Sequence, residues 1–218
     1  MVPDALGRVV SVNIGRPTIV RWHDRDVSSA IWKRPLAGRH RVAGVNVDGD
    51  DQDDRRVHGG PTKSVYAYAA EDYAWWESEL GQHLEPGTFG ENLTTEGVDL
   101  AAAVVGERWR IGTATLRVTE PRIPCFKLGM RMGDAGFVDR FAEAGRPGTY
   151  LAIDTAGEVG ASDGIELVSR PGHGLAVGDV ERAIHRDREL LPALVDCPDL
   201  SDAWRSWARR ALARAGRE

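Results

Sequence analysis

Cys125 stands between two cations at short spacing, with Arg122 three residues before it and Lys127 two residues after. Nearby positive charge favours thiolate over thiol, and the thiolate is both the nucleophilic and the metal-binding form of cysteine. Pro121 and Pro124 fix φ and remove backbone donors just ahead of it. That excludes a central strand or a helix interior and predicts a stiff extended turn presenting the sulfur. A small buried hydrophobe is the alternative reading of the same residue.

Two glycine-rich stretches could place ligand-binding groups. Residues 58–64 run His58, Gly59, Gly60, Pro61, Thr62, Lys63, Ser64. The glycines allow backbone N–H groups to approach a ligand closely, and Lys63 and Ser64 follow as phosphate-type donors. The spacing is not that of a P-loop, and an ordinary turn ahead of a strand is the alternative. Residues 86–93 hold Phe89, Gly90, Glu91 and Asn92. Polar groups on loops of a rigid scaffold often carry function, whereas a hairpin turn with Phe89 as a packing plug is the plainer account.

Residues 48–54 contain five aspartates in seven positions. No Glu closes the stretch and Gly49 is misplaced for a twelve-residue calcium loop, so it reads mainly as a solvated acidic turn. Among 28 Lys+Arg, only Lys33, Lys63 and Lys127 are lysines. A compact ammonium and a planar guanidinium do different work, and Lys127 lies beside Cys125.

The elements that must position these residues are mostly strands. Residues 9–14, 19–22, 28–33, 41–47 (with a kink at Gly44), 64–69, 149–153 and 165–169 have strand character. Residues 108–111 and 115–119 alternate strictly around a short turn and predict a hairpin that delivers the chain into the Cys125 turn. Tyr73, Trp76 and Leu80 share one face of a predicted helix over 71–80, stopped by Gly81, and a second short helix covers 136–144. Beyond residue 174 the periodicity changes from 2 to 3.6. Helices are expected over 178–191 and 201–215, with a short one near 192–195. Two parts are therefore expected, a strand-rich part over 1–172 and a small helical part over 173–218. The second carries none of the chemistry-bearing stretches and is expected to be separable from cofactor binding. Cys197 lacks a cationic shell and reads as inert, and His173 and His185 lack partners at metal-ligand spacing.

Composition narrows the class. The 218 residues are 42% hydrophobic and 28% charged, with net charge −5, which argues against a general nucleic-acid binder. No apolar run approaches the ~20 residues of a membrane span. No signal-peptide pattern precedes two widely separated cysteines, so reduced thiols and a cytoplasmic location are expected. Oligomeric state, a homodimer included, stays open.

Taken together, the stretches at 58–68, 89–93 and 121–128 resemble the three signatures of MOSC domains, a family related to the C-terminal domain of molybdenum cofactor sulfurase. The match is closest to the stand-alone YiiM-type members, and the tail around Leu200–Trp204 resembles their small three-helix domain. Glu107 departs from the pattern, where aspartate is expected. The resemblance implies a mainly β fold, a closed and mostly antiparallel barrel of the pyruvate-kinase-barrel type. It implies binding of the molybdenum cofactor, with Cys125 as metal ligand and catalytic residue. Lys33, His58, Gly59, Gly60, Lys63, Ser64, Phe89, Gly90, Glu91, Asn92, Arg122 and Lys127 are the expected cofactor-binding residues. The implied activity is reduction of N-hydroxylated substrates such as 6-hydroxylaminopurine, a detoxification of base analogues, with electrons from a separate flavin reductase. A cofactor or sulfur carrier without its own turnover is the alternative. A metal-free cysteine enzyme built on Cys125 and His58 is a third reading.

Overall fold

The computed structural model describes residues 4–53 and 59–215. The chain starts with β1 (Asp4–Ile14), a separate hairpin of β2 (Thr18–Trp22) and β3 (Arg25–Ser29), and the short strands β4 (Arg34–Pro35), β5 (Arg39–Ala43) and β6 (Asn46–Val47). A one-turn 3-10 helix over Pro61–Lys63 leads into β7 (Val65–Ala69), α1 (Ala70–Leu80) and β8 (Leu93–Glu96). Next come β9 (Arg108–Ile111), β10 (Ala114–Glu120), α2 (Phe126–Met132), α3 (Phe137–Ala144), β11 (Thr149–Thr155), β12 (Gly157–Gly160) and β13 (Gly164–Ser169). The chain ends in α4 (Val177–His185), α5 (Leu191–Asp196) and α6 (Asp202–Ala215).

Seven strands close into a barrel in the order β13, β9, β10, β11, β7, β8, β1, with β1 pairing back to β13. Every neighbouring pair is antiparallel except β7 and β8. A parallel pair needs a long crossover, and α1 with the loop that follows it supplies one. Glu71 and Asp72 sit in the first turn of α1, and Gly81 ends it at φ +64, donating its N–H to the Glu77 carbonyl. That is favourable dipole placement followed by a left-handed glycine stop.

The barrel interior holds the inward residues of alternating strands, among them Trp109, Ile111, Ala114, Leu116 and Val118. A second, aromatic cluster lies between the barrel wall and α1–α3. Phe89 is fully buried there, with its ring 4.6 Å from Tyr68 and 4.9 Å from Tyr73.

Several expected elements differ in detail. The strand expected over 28–33 ends at Ser29, and Arg34–Pro35 instead pairs with the end of β1. The kink expected at Gly44 is a tight hairpin turn at φ +64, pairing β5 with β6. β12 occupies part of the expected turn over 154–164 and pairs with β5. The helix expected over 178–191 breaks after His185 and resumes at Leu191.

The switch from strand to helix falls between Ser169 and Val177, as the periodicity predicts. The helical tail nevertheless shares its core with the barrel. Val177, Val180, Leu191, Leu194 and Leu200 belong to the same buried cluster as Val9, Leu116 and Ile165.

Candidate functional site

Strand register assembles the site. Glu120 pairs with Tyr150 and Tyr150 with Tyr66, so the end of β10 and the starts of β7 and β11 meet at one barrel end. The 86–92 loop joins them, because Asn92 exchanges backbone hydrogen bonds with Tyr66 and Asn13. These segments surround a cleft of about 630 Å³, counted out to its open mouth.

Cys125 lies in this cleft, half-buried and outside any disulfide. Its backbone is extended, at φ −133 and ψ 172, and it caps α2. The expected proline-stiffened turn is therefore present, and the segment after it turns helical at once.

Arg122 is buried beside the thiol and lines the same cleft. Its guanidinium donates to the Phe89 carbonyl and stacks 5.2 Å from the Tyr66 ring and 5.7 Å from the Phe141 ring. Burial opposes its charge, but the Tyr66 and Tyr150 oxygens and the Cys125 sulfur hold its pKa above the usual value.

All three lysines of the chain line this one cleft. Lys33 pairs with Asp50, both side chains nearly inaccessible. Burial pulls the Lys33 pKa down, although Asp50 pushes it up. Lys127 Nζ lies 2.9 Å from Asp53. Lys63 Nζ lies 5.9 Å from the Tyr150 ring centroid, and among the described residues no carboxylate pairs with it.

The acidic turn is therefore more than solvated surface, contrary to its sequence reading. Asp50 is caged by Lys33, by the Gly15 N–H at 2.7 Å and by Asn92 Nδ2 at 2.9 Å. Asp51, Gln52 and Asp53 form the adjacent wall. Gln52 donates from Nε2 to the Val45 and Lys63 carbonyls, while its buried Oε1 has no partner among the described residues. Tyr66 and Tyr150, with ring centroids 5.1 Å apart, complete the floor. Sequence reasoning missed Asp50, Gln52, Tyr66 and Tyr150 as site residues. The only signal was that Tyr66 follows Lys63 and Ser64 closely.

Of the expected cofactor-binding residues, Lys33, Lys63, Gly90, Asn92, Arg122 and Lys127 line the cleft with Cys125. His58 lies outside the described residues. Gly59, Gly60 and Ser64 are not on the cleft wall, and the Ser64 hydroxyl bonds back to the Pro61 carbonyl at 3.0 Å. Phe89 and Glu91 are also off the wall. The expectation that they face a ligand is corrected by their burial: Phe89 fills the aromatic cluster, and only its carbonyl reaches Arg122. Glu91 is fully buried and accepts from Tyr73 (2.6 Å), the Gly87 N–H (2.6 Å) and Thr94 (2.8 Å), binding the loop to the barrel.

Cys197 sits apart, 2% exposed, with its sulfur 3.6 Å from His173 Nε2. Burial pushes its thiol pKa up, which opposes thiolate chemistry. His173 accepts from the Leu175 N–H at 3.0 Å and faces Asp199 at 3.4 Å, so its ring nitrogens have partners within the protein. Glu107, where the family resemblance suggested aspartate outside the three signatures, is buried and accepts from Trp109 at 2.8 Å and from Arg170 at 2.6 Å. The longer side chain reaches both.

The donor set suits a group that brings its own metal ligands. No three His, Cys, Asp or Glu side chains converge on a bare-ion site among the described residues. A single accessible thiol fits a metal already held by sulfur donors. Lys63 and Arg122 suit an anionic tail, and the unpartnered Gln52 Oε1 suits a ring N–H.

A mixed barrel with its cysteine, lysines and arginine around one end defines the MOSC class, and the MOSC domain family profile matches residues 54–166. The chain belongs to this family, as a YiiM-type member. It is 33% identical over 201 residues to the protein YflK of Bacillus subtilis, spanning 91% of each chain. It is 30% identical over 179 residues to a Gibberella moniliformis protein named Reductase, covering 80% of this chain but 32% of that one. The crystal structure of YiiM from Geobacillus stearothermophilus superposes with TM-score 0.76 at 26% identity, over 93% of this chain and 97% of that one.

Proposed function

We propose that this chain is a molybdenum-cofactor-dependent oxidoreductase that reduces N-hydroxylated compounds such as 6-hydroxylaminopurine. The observation that carries this reading is one cleft holding the half-buried Cys125, the buried Arg122 and every lysine of the chain. The family membership supports a molybdenum cofactor, and the reductase name of one relative supports redox chemistry.

In this reading the bound cofactor supplies a two-electron centre, while the protein supplies placement and electrostatics. Cys125 offers the soft thiolate donor. Arg122 is fixed before any ligand arrives, by stacking on Tyr66 and Phe141 and by the Phe89 carbonyl. Lys63, whose charge no described carboxylate neutralises, takes the anionic tail together with Arg122. Lys127 is already compensated by Asp53 and contributes mainly to shaping the wall beside Cys125. Gln52 Oε1 accepts from the ring system. A separate flavin reductase is the proposed electron donor.

Metal and pterin analysis of protein made in a cofactor-producing host tests the binding half. Turnover of 6-hydroxylaminopurine with a reductant tests the other half. Bound molybdenum without turnover would instead indicate a cofactor carrier, and protein that takes up neither metal nor pterin would reject the reading.

A further inference from the structure

Reducing an N-hydroxylated compound needs protons as well as electrons. The balance is R–NH–OH + 2 e⁻ + 2 H⁺ giving R–NH₂ + H₂O. The N–O bond breaks, an N–H bond forms, and the hydroxyl leaves as water only if a proton reaches its oxygen. The electron pair comes from a reduced two-electron cofactor. Nothing assigned so far supplies the proton.

Lysine is rare in this chain, and Lys33 is the most deeply placed of the three, 8% exposed. Lys33 lines the cleft that holds Cys125, and its ammonium rests on Asp50, which lines the same cleft. Asp50 is itself anchored by the Gly15 N–H and Asn92, so the acceptor side of the pair cannot swing away. The Lys33 backbone is held as well: its N–H bonds to the Ile31 carbonyl at 2.8 Å, and its carbonyl packs against Gly87, where a Cβ would come within 2.6 Å. Such a site differs from a surface anion-binding lysine, whose stem is mobile and whose charge is solvated. Arginine, the usual cation elsewhere in this chain, could not serve, because it does not give up its proton.

We propose that Lys33, held against Asp50 in the cleft wall, donates the proton that converts the departing hydroxyl to water. This rests on the reductase reading above. The resulting amine, still beside Asp50, regains its proton from solvent through the open cleft mouth, and the second proton reaches the substrate nitrogen from the same solvent.

The charges around Lys33 set the pH at which this works. Burial lowers its pKa from 10.5, while Asp50, Glu91 and Asp51 pull the other way. Lys63, Arg122 and Lys127 share the cleft, opposed by Asp53 across the wall, and Cys125, Tyr66 and Tyr150 are its other titratable neighbours. The donating form exists below the Lys33 pKa, so turnover falls as pH rises through it.

Lys33→Arg in the cofactor-loaded protein keeps a cation for Asp50 but removes the transferable proton. With 6-hydroxylaminopurine, kcat should fall about 100-fold or more, the usual scale for losing a general acid. KM and bound molybdenum should stay near the parent. In Lys33→Ala, added small primary amines should restore part of kcat. Independently of activity, the cofactor-free protein labelled with ¹³C-lysine should show three side-chain signals. The one lost in Lys33→Arg should titrate below 10.5. Parent-like kcat and pH profile in a folded Lys33→Arg protein, or a Lys33 signal titrating at or above 10.5, would overturn the assignment. An active parent with an equally active Lys33→Arg variant removes only the proton donor, whereas an inactive parent that is fully loaded with cofactor removes the reductase reading beneath it.

Discussion

The indole N–H of Trp204, in the last helix, donates to the carboxylate of Glu120, the final residue of β10. Glu120 is buried and opens the turn that carries Arg122 and Cys125. A second link runs from Arg186, after α4, to the Glu143 carbonyl at 2.6 Å in α3, whose Phe141 stacks on Arg122. The helical tail therefore braces the cleft from behind.

Trp204→Phe keeps an aromatic side chain of smaller volume and removes the donor. A hydrogen bond to a charged group contributes roughly 1.5–3 kcal/mol, and stability should fall by that order. Urea unfolding measures it. A variant as stable as the parent would mean that solvent replaces the indole without loss.

Truncation after residue 170 should prevent independent folding. The tail lacks all three signature stretches, and from sequence alone it looks separable from cofactor binding. The shared core argues otherwise. Val177, Val180, Leu191, Leu194 and Leu200 are each at least 96% buried together with barrel residues. At about 1.5–3 kcal/mol for each buried side chain, their loss is comparable to a whole stability of about 5–15 kcal/mol. A truncated chain with a cooperative melt near that of the parent would reject this.

Why the sequence does not reveal what covers the tail helices is physical. Periodicity reports which face of α4 or α6 is apolar, not which surface will cover it. The same limit hid the acidic turn. Asp50 and Asp53 find Lys33 and Lys127 only after the barrel closes, across 17 and 74 residues. Patterns carried by near neighbours were legible: the proline-stiffened Cys125 turn, the β9–β10 hairpin and the stop at Gly81. Phe89 and Glu91 looked like loop residues because their loop is rich in glycine. The pocket that buries them is built by Tyr68, Tyr73 and Phe137, from three other elements.

Glu91→Gln should destabilise the protein by about 1–3 kcal/mol. Tyr73, Gly87 and Thr94 all donate to one carboxylate oxygen, and the other is buried without a partner among the described residues, so the amide nitrogen either displaces the bonded oxygen or is itself left unsatisfied. The difference should depend on pH. Burial raises the Glu91 pKa above 4.5 despite the hydrogen bonds from Tyr73, Gly87 and Thr94. In the window between 4.5 and the raised folded value, the native state binds more protons than the unfolded chain, so stability falls as pH rises. The parent's advantage over Glu91→Gln is thus largest below pH 4.5 and shrinks above it. Unfolding curves of both proteins across pH test the sign, and a pH-independent difference would show that Glu91 titrates alike folded and unfolded.

Lys63→Ala should weaken cofactor retention with little cost to the fold, since no described ion pair is lost. Lys127→Ala breaks the contact with Asp53 and should change metal content less, because that charge is already compensated. Molybdenum per protein after gel filtration separates the two. Equal loss in both variants would mean that total cleft charge, not Lys63 in particular, holds the anion.

Cys125→Ala should abolish N-hydroxyl reduction and lower molybdenum retention, and Cys197→Ala should do neither. The two sulfurs differ in access. Cys125 is half-buried in the cleft beside Arg122, whereas Cys197 is 2% exposed with its thiol pKa pushed up by burial. Either substitution should cost on the order of 1 kcal/mol in stability, the common scale for a single replacement. A protein of ordinary stability, about 5–15 kcal/mol, survives that. The order of the two costs should be opposite to the order of the functional effects. Cys197→Ala removes contacts from a close-packed core and should lower the melting temperature more, while Cys125→Ala opens only the rim of a solvent-lined cleft. A Cys125→Ala protein that melts like the parent yet binds no molybdenum would separate chemistry from folding. Full activity in that folded variant would instead remove the thiolate ligand, and with it the main support for the proposed function.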